Sequence, residues 1–85
     1  MKTVFYTITD ALGLHARPAG MLVKEASQFK SNIKLIGPAK EVDAKRIMGV
    51  MSMGVKKGDA IRLTIEGEDE AAAAEKLEQF LKENL

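Results

Sequence analysis

The segment Gly13-Leu14-His15-Ala16-Arg17-Pro18-Ala19 concentrates the chemistry of this chain. It holds the only histidine, two positions ahead of an arginine and three ahead of a proline. A free imidazole has a reference pKa near ~6.5, so at neutral pH it is mostly unprotonated and is a competent nucleophile. Gly13 lets the backbone turn sharply, and Pro18 suits the first turn of a helix, where its missing N–H would have had no intrahelical partner. His15 therefore falls at or just before a helix start. First-turn amides and the positive end of the helix dipole form an anion site, and Arg17 adds a planar guanidinium within reach of phosphate oxygens. A phosphoryl group on the imidazole would lie against those amides. Its N–P bond is labile and high in transfer potential, which suits a carrier.

The groups that are missing narrow the chemistry further. There is no glycine-rich phosphate loop of Walker type, no serine with an acid–base partner, no paired carboxylates and no second histidine. The absence of cysteine excludes disulfides, thiolate metal sites and cysteine nucleophiles, and one histidine cannot build a zinc site alone. No metal and no cofactor are expected, and independent catalysis has few players. The plainer alternative is that His15 only caps a helix and Arg17 is a surface charge; the residues by themselves leave both readings open.

The elements that must position this segment are legible in the periodicity. Residues 2 to 9 are β-branched and aromatic, with Val4, Tyr6 and Ile8 on one face of a strand. From Ala16 the period becomes helical, with Ala19, Leu22, Val23, Ala26 and Phe29 or Lys30 on one stripe, and the helix should end near Gln28 to Lys30. Ile33 and Leu35 alternate with polar neighbours, Gly37-Pro38 turns, and a short strand at 40 to 43 completes a hairpin. In residues 46 to 53, Ile47, Met48 and Met51 lie on one side of a short helix and Val50 and Met53 nearly opposite. Gly54 closes it. Ile61, Leu63 and Ile65 form the clearest alternating strand. Asp69 is expected to cap a last helix whose stripe is Ala73, Ala74, Leu77, Phe80, Leu81 and Asn84. The order β-α-β-β-α-β-α with such clean alternation implies an α+β open-faced sandwich: an antiparallel sheet with helices packed on one side.

At 85 residues, 1 to 85 should form a single domain with a thin core, since a chain this short buries only about 60% of its unfolded surface. A hydrophobic content of 46% and a net charge of +1 fit a globular protein and argue against disorder. No apolar run approaches the ~18 residues of a membrane span and no signal peptide is evident, so a cytoplasmic address without membrane insertion is expected. The charge is nevertheless uneven. Residues 1 to 65 carry 11 Lys/Arg against 5 Asp/Glu, and residues 66 to 85 carry 2 against 7. The basic part would steer anionic ligands or acidic partners; nucleic acid is not expected, because no aromatic RNA-binding motif or basic helix stripe is present.

With Val50 and Met53 inward, Ile47, Met48 and Met51 form an exposed apolar patch, and methionine's flexibility suits a surface that fits several partners. Lys24, Lys45, Arg46, Lys56 and Lys57 are candidates for its rim. The competing possibility is that this short helix is all core.

In GLHARPA and KRIMGVMSMGVKKGD the chain resembles the HPr family, the histidine-containing phosphocarriers of the bacterial sugar phosphotransferase system. The resemblance covers essentially the whole chain. It implies a four-stranded antiparallel sheet with three helices on one face. It also implies that His15 takes a phosphoryl group on Nδ1 from phosphorylated Enzyme I and passes it to IIA domains of sugar permeases. Arg17 and the amides of Ala16 and Arg17 would hold the phosphate, and His15, Arg17, Gly20, Lys24, Arg46, Ile47, Met48 and Met51 would build the docking face. Partners that dock in sequence need no dimer, so a monomer is expected.

Three positions depart from that pattern. Arg46 stands where many Gram-positive relatives have a serine phosphorylated for catabolite control, and Ser52 nearby is a poor substitute. A cation there disfavours the short helix by ~0.3–1 kcal/mol unless a carboxylate or phosphate offsets it. Leu12 replaces a small polar residue, and Gly20 replaces the usual alanine at about 0.5–1 kcal/mol. The alternative function is an HPr-like regulatory module that binds partners through the Ile47/Met48/Met51 patch with no role in sugar transport. Retention of His15 speaks against it.

Overall fold

A computed structural model describes residues 1–85. Seven elements follow in order: β1 (Lys2–Thr7), α1 (Ala16–Ala26), β2 (Asn32–Ile36), β3 (Glu41–Asp43), α2 (Ile47–Met51), β4 (Ala60–Glu66) and α3 (Glu70–Asn84). The strands form one antiparallel sheet in the order β1-β4-β2-β3. Strand β4 is central because Ile61, Leu63 and Ile65 can be buried on one face while its backbone pairs on both edges, placing Leu63 opposite Val4 and Leu35. Helices α1 and α3 pack side by side over that face, and α2 rests against α1 and β3. The other face stays open, carrying Phe5, Lys34 and Arg62 to solvent. No helix is long and apolar enough to cross a membrane.

One cluster of 20 buried apolar residues holds the layers together. Ala19, Leu22 and Ala26 enter it from α1, Ala73, Leu77, Phe80 and Leu81 from α3, and Val50 from α2, followed by Met53 just beyond that helix. The division of the short helix into an inward and an outward side is therefore as the sequence implies, and the all-core alternative is excluded. Ile47, Met48 and Met51 are exposed.

Several boundaries differ from the periodicity. Strand β1 stops at Thr7 rather than 9, because the Ile8 amide donates to Asp59 and the Thr9 and Asp10 amides both donate to the Leu85 main-chain oxygen. Helix α1 stops at Ala26: the Gln28 and Phe29 amides bond three residues back, tightening the chain out of the helix while Phe29 still packs on the core. Strand β3 begins at Glu41, since Lys40 is used to close the hairpin by accepting the Gly37 amide.

Asp69 is at the N-cap position of α3 but its side chain does not cap the helix. Its carboxylate instead accepts the Lys30 amide at 2.8 Å, the Ser31 amide at 3.0 Å and the Ser31 hydroxyl. Ser31 is buried, so its hydroxyl needs a partner, and an acceptor-only carboxylate fits that need. These bonds, the Ser31 hydroxyl first and the Lys30 amide next, hold the Asp69 carboxyl below the ordinary aspartate range.

Candidate functional site

The loop between β1 and α1 is built by local rules. Asp10 opens a turn in which its main-chain oxygen accepts the Gly13 amide at 2.9 Å and its Oδ1 accepts the Leu12 amide at 2.8 Å. Gly13 has φ +67°, and a Cβ there would sit 2.8 Å from the Lys56 Cα, so only glycine lets the loop lie against residues 55 and 56. The buried Leu14 then donates to the Val55 oxygen at 3.1 Å. Together these contacts fix the point from which His15 projects.

His15 is the N-cap residue of α1, in extended conformation, and its side chain makes no capping bond. The reading of this histidine as a mere cap therefore fails. Its amide is used by the Gly13 oxygen and its carbonyl by the Ala19 amide, whereas the imidazole is 35% exposed. Nε2 is 3.9 Å from Asp10 Oδ1, and no protein group bonds Nδ1. The amides of Ala16 and Arg17 have no acceptor in the protein, and the first turn of α1 contains no acid. The buried Pro18 occupies the third helical position, where no N–H is needed. Arg17 is exposed and belongs to no ion pair. An uncapped imidazole thus stands at a helix start that carries two unclaimed N–H groups and a free guanidinium.

His15 and Arg17 share a shallow depression of about 290 Å³ with Asp10, Pro18, Met21, Glu83 and Asn84. Met21, Glu83 and Asn84 continue into a groove of about 460 Å³ between α1 and α3, and Lys24 lines this groove rather than the depression itself. Gly20 is half-buried on α1, with nothing within 4 Å of the position a Cβ would take. Across from α1, the patch of Ile47, Met48 and Met51 stays open to solvent. Arg46 is 81% exposed, and the Asp43 carboxylate 3.8 Å from its Nε supplies the offset its position at the start of α2 requires. Lys45 donates one of its three ammonium N–H groups to the Phe29 carbonyl at 2.7 Å.

The sequence reading missed four residues beside the imidazole: Asp10, Met21, Glu83 and Asn84. Met21 had a usable signal, since it is one helical turn after Arg17 on the same face. Glu83 and Asn84 had none, arriving from the far end of the chain.

The family described as the phosphotransferase-system HPr component phosphorylation site matches residues 3–83. The chain belongs to the HPr family. Members of this family carry phosphoryl groups in the phosphotransferase system that drives sugar transport, and they are carriers rather than enzymes. Among relatives, the phosphocarrier protein HPr of Lysinibacillus sphaericus is 45% identical over 83 residues, 98% of this chain and 94% of that one. A histidine-containing phosphocarrier protein from Mycoplasma superposes with a TM-score of 0.93 at 41% identity, covering 96% of this chain and 93% of its own. The catabolite repression protein Crh of Bacillus subtilis, solved as a swapped dimer, superposes at 0.76 with 41% identity, covering 94% and 92%. HPr-family geometry therefore accounts for every element, including the two helices that flank the His15 depression.

Proposed function

We propose that His15 is the phosphoryl acceptor of this chain, through Nδ1, and that Arg17 and the amides of Ala16 and Arg17 hold the transferred group. The observation that carries this reading is the uncapped imidazole standing beside two amides that nothing in the protein uses. On this reading, residues 1–85 work as one monomeric cytoplasmic domain. It is loaded by phosphorylated Enzyme I and unloaded by IIA domains of sugar permeases. Gly20, Lys24, Arg46, Ile47, Met48 and Met51 form the surface on which both partners dock. Exposed apolar side chains suit sequential partners, since a flexible methionine surface can repack for each.

The chemistry asks little of the protein. Phosphoryl transfer needs positioning and charge stabilisation more than covalent assistance, and the start of α1 supplies both. A partner that covers the depression removes water and strengthens the Arg17 contact. Incubation with phosphoenolpyruvate and Enzyme I is expected to add one acid-labile phosphoryl mass to the wild type and none to His15→Ala. A phosphorylated His15→Ala variant would refute the assignment.

The likeness to Crh keeps a regulatory module in view as the second reading. His15, with its amides open, argues for the carrier, and Arg46 has no hydroxyl for a regulatory kinase. Restoration of sugar growth to a carrier-deficient strain separates the two.

A further inference from the structure

Asp10 is the one acid within 4 Å of a His15 ring nitrogen, and phosphate holding leaves it without a task. Its position is set before the ring is considered: Oδ1 accepts the Leu12 amide at 2.8 Å, its amide donates to the Leu85 oxygen at 2.8 Å, and its carbonyl accepts the Gly13 amide. The carboxylate is thereby aimed at one side of the imidazole, with Oδ1 3.9 Å from Nε2. Arg17 and Glu83 are the other charged groups lining the depression, and neither is in ion-pair contact with the ring.

We propose that Asp10 is a positioning residue for His15, whose carboxylate holds the proton on Nε2 and so leaves Nδ1 with the free electron pair that attacks phosphorus. This rests on the reading of His15 as the acceptor. A neutral imidazole has one N–H and one lone pair, and a carboxylate can only accept, so it attracts the N–H and repels the lone pair. In the step itself the Nδ1 pair forms the N–P bond while the bond from phosphorus to the donor atom breaks, its electron pair returning to the donor. Nε2 keeps its proton throughout. The loaded ring is then a cation, and its charge faces Asp10. Delivery to an acceptor reverses these changes.

An exposed pair at this separation changes an equilibrium by roughly two- to fivefold. Asp10→Asn isolates that effect, because the asparagine oxygen still accepts the Leu12 amide and only the charge is lost. In 15N NMR of the neutral ring, the ratio of Nε2–H to Nδ1–H tautomer should fall by about that factor in the variant. The kcat for transfer from phosphorylated Enzyme I should fall alongside with KM unchanged. A variant with the wild-type tautomer ratio overturns the proposal, even if transfer is slowed, since slowing would then come from docking or fold. Should Asp10→Asn not fold, wild-type spectra in buffer and in urea replace it: a higher Nε2–H ratio in the native protein is expected, and equal ratios overturn the proposal. Wild type that takes up no phosphoryl group sinks the carrier reading instead, and the tautomer ratio, which needs no phosphate, still judges the hold of Asp10 on the ring.

Discussion

Helices α1 and α3 begin with different charge in their first turns. At the start of α3, Glu70 provides an acid in the first turn and accepts the Gly67 amide at 3.2 Å, while Asp69 fastens the α1–β2 turn through Lys30 and Ser31. Neither helix start has a side-chain cap bond, but the first turn of α1 also contains no acid, so its unused Ala16 and Arg17 amides meet no carboxylate of their own helix turn. A helix N-terminus gains about 0.3–1 kcal/mol from a nearby anion. At α3 the chain takes that gain for its own stability. At α1 it forgoes the gain, which is what a site for an external anion requires. One molecule thus separates a helix start whose acid serves the fold from one that, on the proposed function, is left for an external anion.

If that separation is right, substitutions at the two ends should move different observables. The largest effect expected is on transfer: Arg17→Ala removes a charge-assisted contact of ~1.5–3 kcal/mol, slowing phosphorylation by about ten- to a hundredfold. Its urea midpoint should match wild type, because Arg17 is exposed and in no ion pair. Coupled loss of stability and transfer would blur the contrast. Gly67→Ala should do the reverse. A Cβ there lies 2.7 Å from the Ser31 Cα, and backbone cannot yield as a flexible side chain can. A loss of about 1–3 kcal/mol in urea unfolding is expected, with normal transfer at temperatures where the variant is folded.

Acid titration probes the α3 end more finely. Asp69 has its carboxyl held below the ordinary value of 3.8 by the Ser31 hydroxyl and then the Lys30 amide, and Glu70 is lowered from 4.5 chiefly by a bond from the Met1 ammonium. With a depressed folded pKa, the unfolded chain binds more protons than the folded one below the ordinary value. The stabilisation is therefore complete above that value and lost as pH falls through the folded pKa. Asp69→Asn should flatten the stability curve below about pH 4, and Glu70 should keep the curve from becoming level. Chemical unfolding at a series of pH values measures the slope, and an unchanged slope would remove Asp69 from this role.

Much of this contrast was legible where the pattern is local. The turn at Gly13, the position of His15 ahead of α1 and the inward placement of Val50 and Met53 against Met48 and Met51 all follow from residue type and period. What escaped was set by contacts distant in sequence. Asp69 looked like a cap because Asp before an acidic, alanine-rich run usually is one; its bonds to Ser31 span 38 residues, and nothing near Asp69 signals them. Glu83 and Asn84 reach the depression because α3 packs beside α1, a consequence of sheet order rather than of any motif. Even the end of β1 depended on Leu85, whose oxygen draws the Thr9 and Asp10 amides out of the ladder.

The smallest effect expected tests whether α1 is loosely built for a reason. Gly20 is inside the helix, where glycine is worse than alanine by about 0.5–1 kcal/mol, and an added Cβ would meet no atom within 4 Å. Gly20→Ala should therefore stabilise the protein by that amount, raising Tm by about 4–8 °C per kcal/mol in a domain this size. An added methyl group meets no protein atom within 4 Å and removes no side chain from the helix face, so transfer should be unchanged. Slower transfer in a more stable variant would mean that flexibility behind His15 is part of how this chain is loaded. In that case the economy at the start of α1 extends a full turn into the helix, and the comparison with α3 would concern motion as well as charge.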